Sequence, residues 1–255
     1  MMPKTPLNSL VEKLDGSGRL SKREREAIVS LPVKVRDFSA DLDITHQGAF
    51  SHCCCIILSG WTCCYQMLDG GRRSILALHV PGDVPDLQRL HLPDPDFGMT
   101  ALTPVVVAFV PHAELRGLAD SFPAVATALW REALITAAIH RAWIAGLSRR
   151  DARGRLAHLL CELYTRLKAV GLVDGYTMPM PLRQPDLADA LGLTSVHVNR
   201  TLRDLRAEGL IRLRARRLGI LNWPGLQAKG EFNPRYLHLA AFARTAEMVC
   251  SCADT

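Results

Sequence analysis

Val196, Asn199, Arg200 and Arg203 recur at three- and four-residue spacing within the stretch Gln184–Trp223. At 100° per residue they share one side of a helix, a side carrying two guanidinium groups, an amide and an apolar residue. Such a face suits the major groove of double-stranded DNA. Arginine bonds bidentately to guanine O6 and N7, asparagine pairs with adenine, and valine touches a thymine methyl. The opposite side, Val198, Leu202 and Leu205 at i, i+4 and i+7, belongs in a core. A charged helix face by itself is ordinary solvated surface. Its neighbours decide the matter here.

Those neighbours form a positioning device. Pro185 suits a first helical turn, and Leu187, Ala188 and Leu191 make an apolar face, so the pattern predicts a short helix over 185–191. Gly192 can take the left-handed conformation that ends it, and Thr194 can cap the next helix, leaving a three-residue turn. After the second helix, Glu208-Gly209-Leu210-Ile211 reads as an exit. Ile211 and Leu213 then alternate with Arg212 and Arg214, and Leu218-Gly219-Ile220-Leu221 returns. This predicts a small hairpin with Arg212, Arg214, Arg216 and Arg217 outward or at its tip, placed for phosphate contact.

With Leu187-Ala188-Asp189-Ala190-Leu191-Gly192-Leu193-Thr194, Val198-Asn199-Arg200-Thr201-Leu202 and Gly209-Leu210-Ile211, the segment resembles the C-terminal winged helix of the Crp/Fnr family of bacterial transcription regulators. The resemblance implies that Arg200 reads a base, with Ser195, Val196 and Asn199 facing the groove beside it, and that Gln184, Thr194, His197 and Arg203 lie on the phosphate side. It also implies double-stranded DNA, a second copy of the chain and RNA polymerase as partners. Many family members carry Glu where this chain has Val196 and Ser or Gly where it has Asn199, so the usual family half-site does not carry over.

Composition agrees with a soluble regulator. The 255 residues, 48% of them hydrophobic, suffice for one large or two modest domains. No basic-then-apolar leader and no bilayer-length apolar run is present, which predicts a cytoplasmic protein without membrane contact. The net charge of +6 is unevenly spread. From Asp41 to Val110 three arginines face seven aspartates, 3 − 7 = −4; from Pro181 to Arg217 eight arginines face four acids, 8 − 4 = +4. A polyanion belongs with the second region.

Leu7–Leu14 reads as a short helix, Asp15-Gly16-Ser17-Gly18 as a break, and Ser21 with Glu24 as a capping box opening a surface helix. Between Pro32 and Val110, short apolar runs at 55–58, 62–67, 74–80 and 105–110 alternate with turn signals, which predicts an antiparallel barrel or jelly roll. Ser59-Gly60, Asp69-Gly70 and Pro81-Gly82-Asp83 also resemble the same family's sensor β-roll. The family's cyclic-nucleotide binders follow that corner with a Gly-Glu pair and later an arginine; here Val84-Pro85-Asp86-Leu87 follows, which argues against cyclic AMP. No cysteine cluster precedes the barrel, which argues against an iron–sulfur cluster. The cofactor stays unknown.

Eight cysteines stand as Cys53-Cys54-Cys55, Cys63-Cys64, Cys161 and Cys250-Ser251-Cys252, without the paired spacing of a zinc site. They read as small buried hydrophobes, Cys161 above all. The alternative for Cys53, Cys55, Cys63 and Cys64 is a thiol sensor, which requires exposure and a lowered pKa. His46, His52, His79, His91 and His112 would bind a metal only if several converged. On such convergence rests the rival from another class, a cupin-like metal-dependent enzyme with an appended helical domain.

Phe122 to Leu147 predicts a long helix apolar on several faces, with a seam of Phe122, Leu129, Ala133, Thr136, His140, Trp143 and Leu147 for a partner's helix. Gly146–Asp151 reads as a hinge, and Asp151 as the cap of a helix bearing Leu156, Leu159, Leu160, Leu163 and Leu167. The resulting expectation is an α+β chain. N-terminal helices occupy 1–31, an antiparallel β-roll of the cyclic-nucleotide-binding-domain type 32–118, a dimerisation helix 119–148, a winged helix-turn-helix 149–230 and an extension of underived role 231–255.

Overall fold

Two helices open the chain, α1 at Asn8–Leu14 and α2 at Lys22–Val29. Ser21 Oγ accepts from the Glu24 N–H at 3.3 Å while the Glu24 carboxylate accepts from the Ser21 N–H at 2.6 Å, so the capping box forms as the sequence predicts. The structure, a computed structural model, describes residues 6–16, 20–92 and 96–239. Ser17-Gly18 of the expected break, Asp94, the cysteines at 250 and 252 and the far end of the extension lie outside the described residues.

Seven antiparallel strands follow: β1 Lys34–Phe38, β2 Asp43–Thr45, β3 Cys53–Ser59, β4 Thr62–Leu68, β5 Arg72–His79, β6 Gly98–Ala101 and β7 Val105–Pro111. They make two sheets, ordered β1-β7-β3 and β2-β6-β4-β5. The expected strands correspond to β3, β4, β5 and β7. The other three carry weaker signals for physical reasons: β1 is a largely exposed edge strand, β2 has three residues and β6 four. Alternation along β3 and β7 divides their side chains between two cores. Cys55, Ile57, Val105 and Val107 pack with Cys64, Ala77 and Met99 of the other sheet. Cys54, Ile56, Ala108 and Val110 pack with Leu7, Leu10 and Ile28 of the N-terminal helices. Between β3 and β4 the chain turns at Gly60, whose φ is +81°; a Cβ there would collide with the Pro104 carbonyl oxygen.

The expected long helix is α4 at Pro123–Arg149; a shorter helix that the sequence pattern does not mark, α3 at His112–Ser121, precedes it across extended Phe122. Pro123 begins α4, the place where its missing N–H matters least. The residues of the predicted seam differ in exposure, Leu147 being exposed at 48%. Leu129 is buried in the chain's own core, with Phe122 and Ala133 packed against it, and the Trp143 indole N–H donates to Glu162 Oε2 at 3.0 Å. Trp130, Leu134 and Ile144 are exposed instead, at 64%, 60% and 65%. A helix apolar on several faces shows its periodicity in more than one register, and only packing decides which face the chain keeps for itself.

Asp151 caps α5, Ala152–Ala169, by accepting from the Gly154 N–H at 2.7 Å. The hinge is shorter than its residues suggest, since α4 runs through Gly146 and leaves Arg150 and Asp151 between helices. Then come β8 Thr177–Pro179, α6 Gln184–Leu191, α7 Ser195–Ala207, β9 Ile211–Arg214, β10 Arg217–Ile220 and α8 Trp223–Gly230, the strands ordered β8-β10-β9. Past α8, Phe232 and a 3-10 turn at Pro234–Leu237 close over α5. The Tyr236 hydroxyl donates to Glu162 Oε2 at 2.7 Å and lies 3.0 Å from His158 Nε2, while His158 Nδ1 donates to the Gly230 carbonyl at 3.1 Å. Arg166 completes the group with a 3.2 Å salt bridge to Glu162, which is fully buried. The near part of the extension is therefore structural.

The chain forms two compact units, one from the described residues of Met1–Ala133 with Pro181–Ser195, the other from those of Leu134–Met180 with Val196–Thr255. Among the described residues no helix is long and apolar enough to cross a membrane.

Candidate nucleic-acid interface

The α6 helix starts from its own acid. Asp186 Oδ2 accepts from the Arg183 N–H at 2.9 Å, which anchors the first turn while Pro185 supplies a preset φ. It stops at Gly192, at φ 61° and ψ 43°, as the turn requires. Leu193 and Thr194 lead directly into α7. In α7, Val198 and Leu205 are fully buried and Leu202 nearly so. The predicted outward side is outward: Asn199, Arg200 and Arg203 are exposed, and Val196 is 81% exposed. Ser195 and His197 are half-buried, and Gln184 and Thr194 are exposed. A valine that open, beside an amide and two guanidinium groups, is poorly used in a free protein and well used against a groove.

The wing repeats the pattern. β9 pairs with β10 antiparallel, Ile211 and Leu218 point inward, and Arg212, Arg214, Arg216 and Arg217 are exposed. Ala215 and Arg216 form the tip, both at positive φ, as a two-residue turn that follows the strand twist demands. Arg214 and Arg217 are directly opposed across the hairpin, a repulsive placement in the absence of an anion. Among the described residues none of Arg200, Arg203, Arg212, Arg214, Arg216 and Arg217 takes part in a salt bridge. Elsewhere in the same unit arginine is paired, Arg153 with Glu208 and Arg166 with Glu162.

The β-roll is a different environment. Asp83 of the corner is structural, accepting from the Val80 N–H at 2.9 Å and bonded to Lys13. Asp86 is fully buried; Oδ1 accepts from the Cys55 N–H at 2.8 Å while Oδ2 has no partner among the described residues, and burial pushes its carboxyl up to about 6. Arg89, three residues on, is buried with its guanidinium over the Phe97 ring, and its Nε and Nη1 find no partner among the described residues. Sequence reasoning counts Arg89 only as a charge. The signal that could have found it is an Asp and an Arg at i and i+3 in a turn framed by Leu87 and Leu90.

Of the cysteines considered for a thiol sensor, Cys53 is half-buried and Cys55, Cys63 and Cys64 are buried. Cys54, Cys55, Cys63, Cys64 and Cys161 are buried, and burial holds every one of these thiols in its protonated form, Cys63 and Cys161 up to about 12. His46 pairs with Asp43 at the surface, His79 Nε2 lies 3.4 Å from Cys64 Sγ, His91 stacks on Trp130, and the His112 N–H donates to the His52 carbonyl at 2.8 Å. Among the described residues no group of three or more His, Cys, Asp or Glu side chains is placed to hold a metal. The convergence required by the metal-enzyme rival is missing from them.

Known proteins share this arrangement. Residues 35–122 match the cyclic nucleotide-binding domain, and residues 154–229 match the Crp-like helix-turn-helix domain. The transcriptional activator protein FnrL of Cereibacter sphaeroides is 26% identical over 71% of this chain and 74% of its own length. The nitrogen fixation regulation protein FixK of Azorhizobium caulinodans is 30% identical over 65% and 66%. Among solved structures, FixK2 from Bradyrhizobium japonicum superposes with a TM-score of 0.71 at 27% identity, covering 78% of this chain and 97% of that one. Two domain models in the expected order, regulators among the relatives and a FixK2-like fold say the same thing: the chain belongs to the Crp/Fnr family of transcription regulators.

Proposed function

We propose that the protein acts as a cytoplasmic homodimer that reads a pseudo-palindromic site in double-stranded DNA with α7 and the β9–β10 wing, under control of a signal received at the β-roll, and that it acts on transcription through RNA polymerase. The observation that carries this reading is that Arg200, Arg203, Arg212, Arg214, Arg216 and Arg217 are exposed without salt bridges among the described residues, beside Val196 at 81% exposure. Ser195, Val196, Asn199 and Arg200 face base edges; Gln184, Thr194, His197, Arg203 and the wing arginines face phosphates. The dimer face is the row Trp130, Leu134, Ala137, Arg141 and Ile144, exposed except for half-buried Ala137, which steps along α4 by four and three as a helix seam does. Half-sites then lie about one helical turn apart, roughly 34 Å. No catalytic step belongs to this reading.

The test uses a duplex recovered by the wild-type protein from a random-sequence library. Arg200→Ala should weaken binding to it by about 1–3 kcal/mol and relax selection at one base position, while leaving binding to unselected DNA nearly unchanged. Specific affinity untouched by that change removes α7 as the reader. Sedimentation equilibrium at micromolar concentration should give the dimer mass, and Leu134→Glu should give the monomer.

A further inference from the structure

We infer that Arg73 of β5 is a positioning residue for DNA reading, gripping α6 through two aspartates so that the β-roll sets where the helix-turn-helix begins. Arg73 and α6 belong to the same compact unit, although 113 residues separate Arg73 from Asp186. Arg73 Nη2 donates to Asp186 Oδ1 at 2.9 Å, and Nε donates to Asp189 Oδ2 at 2.8 Å. One guanidinium thus holds two carboxylates on one helix, three residues apart and therefore on one side of it. Asp186 is 2% exposed, and its other oxygen accepts from the Arg183 N–H that starts the helix. Arg73 therefore binds the acid that defines where α6 begins. A second contact supports the grip: Arg183 Nη1 donates to Asp41 Oδ2 at 3.1 Å.

The buried Asp186 also takes a 3.3 Å salt bridge from Arg183 Nε, so two guanidinium groups hold the start of α6. The two aspartates would otherwise present negative charge on a segment that must approach phosphates, and Arg73 together with Arg183 offsets it. Because α6 runs through only Gly192, Leu193 and Thr194 into α7, fixing α6 limits where α7 can start and reduces what must be ordered on binding. β5 also carries Ala77 into the core between the two sheets, so a change inside the β-roll has a covalent route to Arg73.

The inference rests on the DNA-reading proposal, and the experiment separates the two. Full-length wild type, Arg73→Ala, Asp189→Asn, the double variant and Arg200→Ala are titrated with the recovered duplex and with an unselected duplex at one ionic strength. Asp189→Asn is included because Asp189 is 28% exposed and its change spares the buried Asp186 contact. The expected result is a roughly tenfold fall in the ratio of specific to unselected affinity for each single variant, no further fall in the double, and partial recovery with Arg73→Lys. A bare loss of charge moves both affinities together and leaves that ratio alone. A ratio within twofold of wild type for either single variant, a rise in it, or losses that multiply in the double overturns the positioning role. If Arg200→Ala is also without effect, the DNA-reading assignment of α7 fails as well.

Discussion

Arg73 and Arg166 direct their guanidinium groups at carboxylates of their own chain, whereas Arg200, Arg203, Arg212, Arg214, Arg216 and Arg217 stand exposed without a salt bridge among the described residues. The same side chain serves two ends, and burial distinguishes them. A paired arginine beside a carboxylate with no exposure belongs to the folded state, and breaking the pair is felt in stability. An open arginine facing another cation contributes little to folding and is matched only by an anion from outside. Pairing and burial therefore separate the substitutions that move the unfolding transition from those that move only DNA binding.

The largest effect falls on the paired side. Glu162 receives the Trp143 indole, the Tyr236 hydroxyl and Arg166, at 3.0, 2.7 and 3.2 Å. Glu162→Ala should lower the unfolding free energy by about 3–5 kcal/mol, because the Trp143, Tyr236 and Arg166 donors all lose one fully buried, charged acceptor. Urea denaturation checks this. A shift below about 1 kcal/mol would show that the group is decorative and that the division by pairing fails where it should be clearest.

The next effect concerns a buried acid, Asp86, whose Oδ2 has no partner among the described residues. The Asp86 carboxyl holds its proton to about pH 6 in the fold, against an ordinary value of 3.8. Between those values the folded state binds more protons than the unfolded one, so stability falls as pH rises through the window, by about 3 kcal/mol at 1.36 kcal/mol per unit. The contribution is fully present below the lower value and gone above the higher. Asp86→Asn should shrink the difference in unfolding free energy between pH 4 and pH 7 by about that amount. An unchanged difference would mean that Asp86 is ionised in the fold despite its dry, half-satisfied setting, and would place it with the paired charges.

Local rules made the reading end legible in the chain. Gly192 is left-handed, α6 starts within a residue of its expected place, and Val198, Leu202 and Leu205 are buried because helix period and capping act over a few residues. What the chain did not show is set by partners far away in sequence. Leu129 and Trp143 of the expected α4 seam are claimed by the chain's own interior. In the sequence Arg73 is only one of the three arginines counted between Asp41 and Val110, whereas in the fold Asp186 and Asp189 of α6 meet it. Tyr236 and Arg89 escaped for the same reason. A polar residue's role depends on who meets it, and periodicity carries no record of that.

The wing should show the smallest effect on stability, and there the two kinds of arginine differ most. Arg214 faces Arg217 across β9 and β10, so removing one of two opposed like charges should leave stability unchanged within about 0.5 kcal/mol, or raise it slightly. Arg214→Ala should weaken binding to recovered and unselected duplexes alike, and the slope of log affinity against log salt should become less negative by about 0.9 for the one phosphate that no longer meets a cation. Arg200→Ala, which removes a base-reading group, should leave that slope nearly as it was. If Arg214→Ala instead changed which sequences are selected, or lowered the unfolding transition as Glu162→Ala does, the unpaired arginines would not be one class, and exposure without a partner would no longer mark the residues that meet DNA.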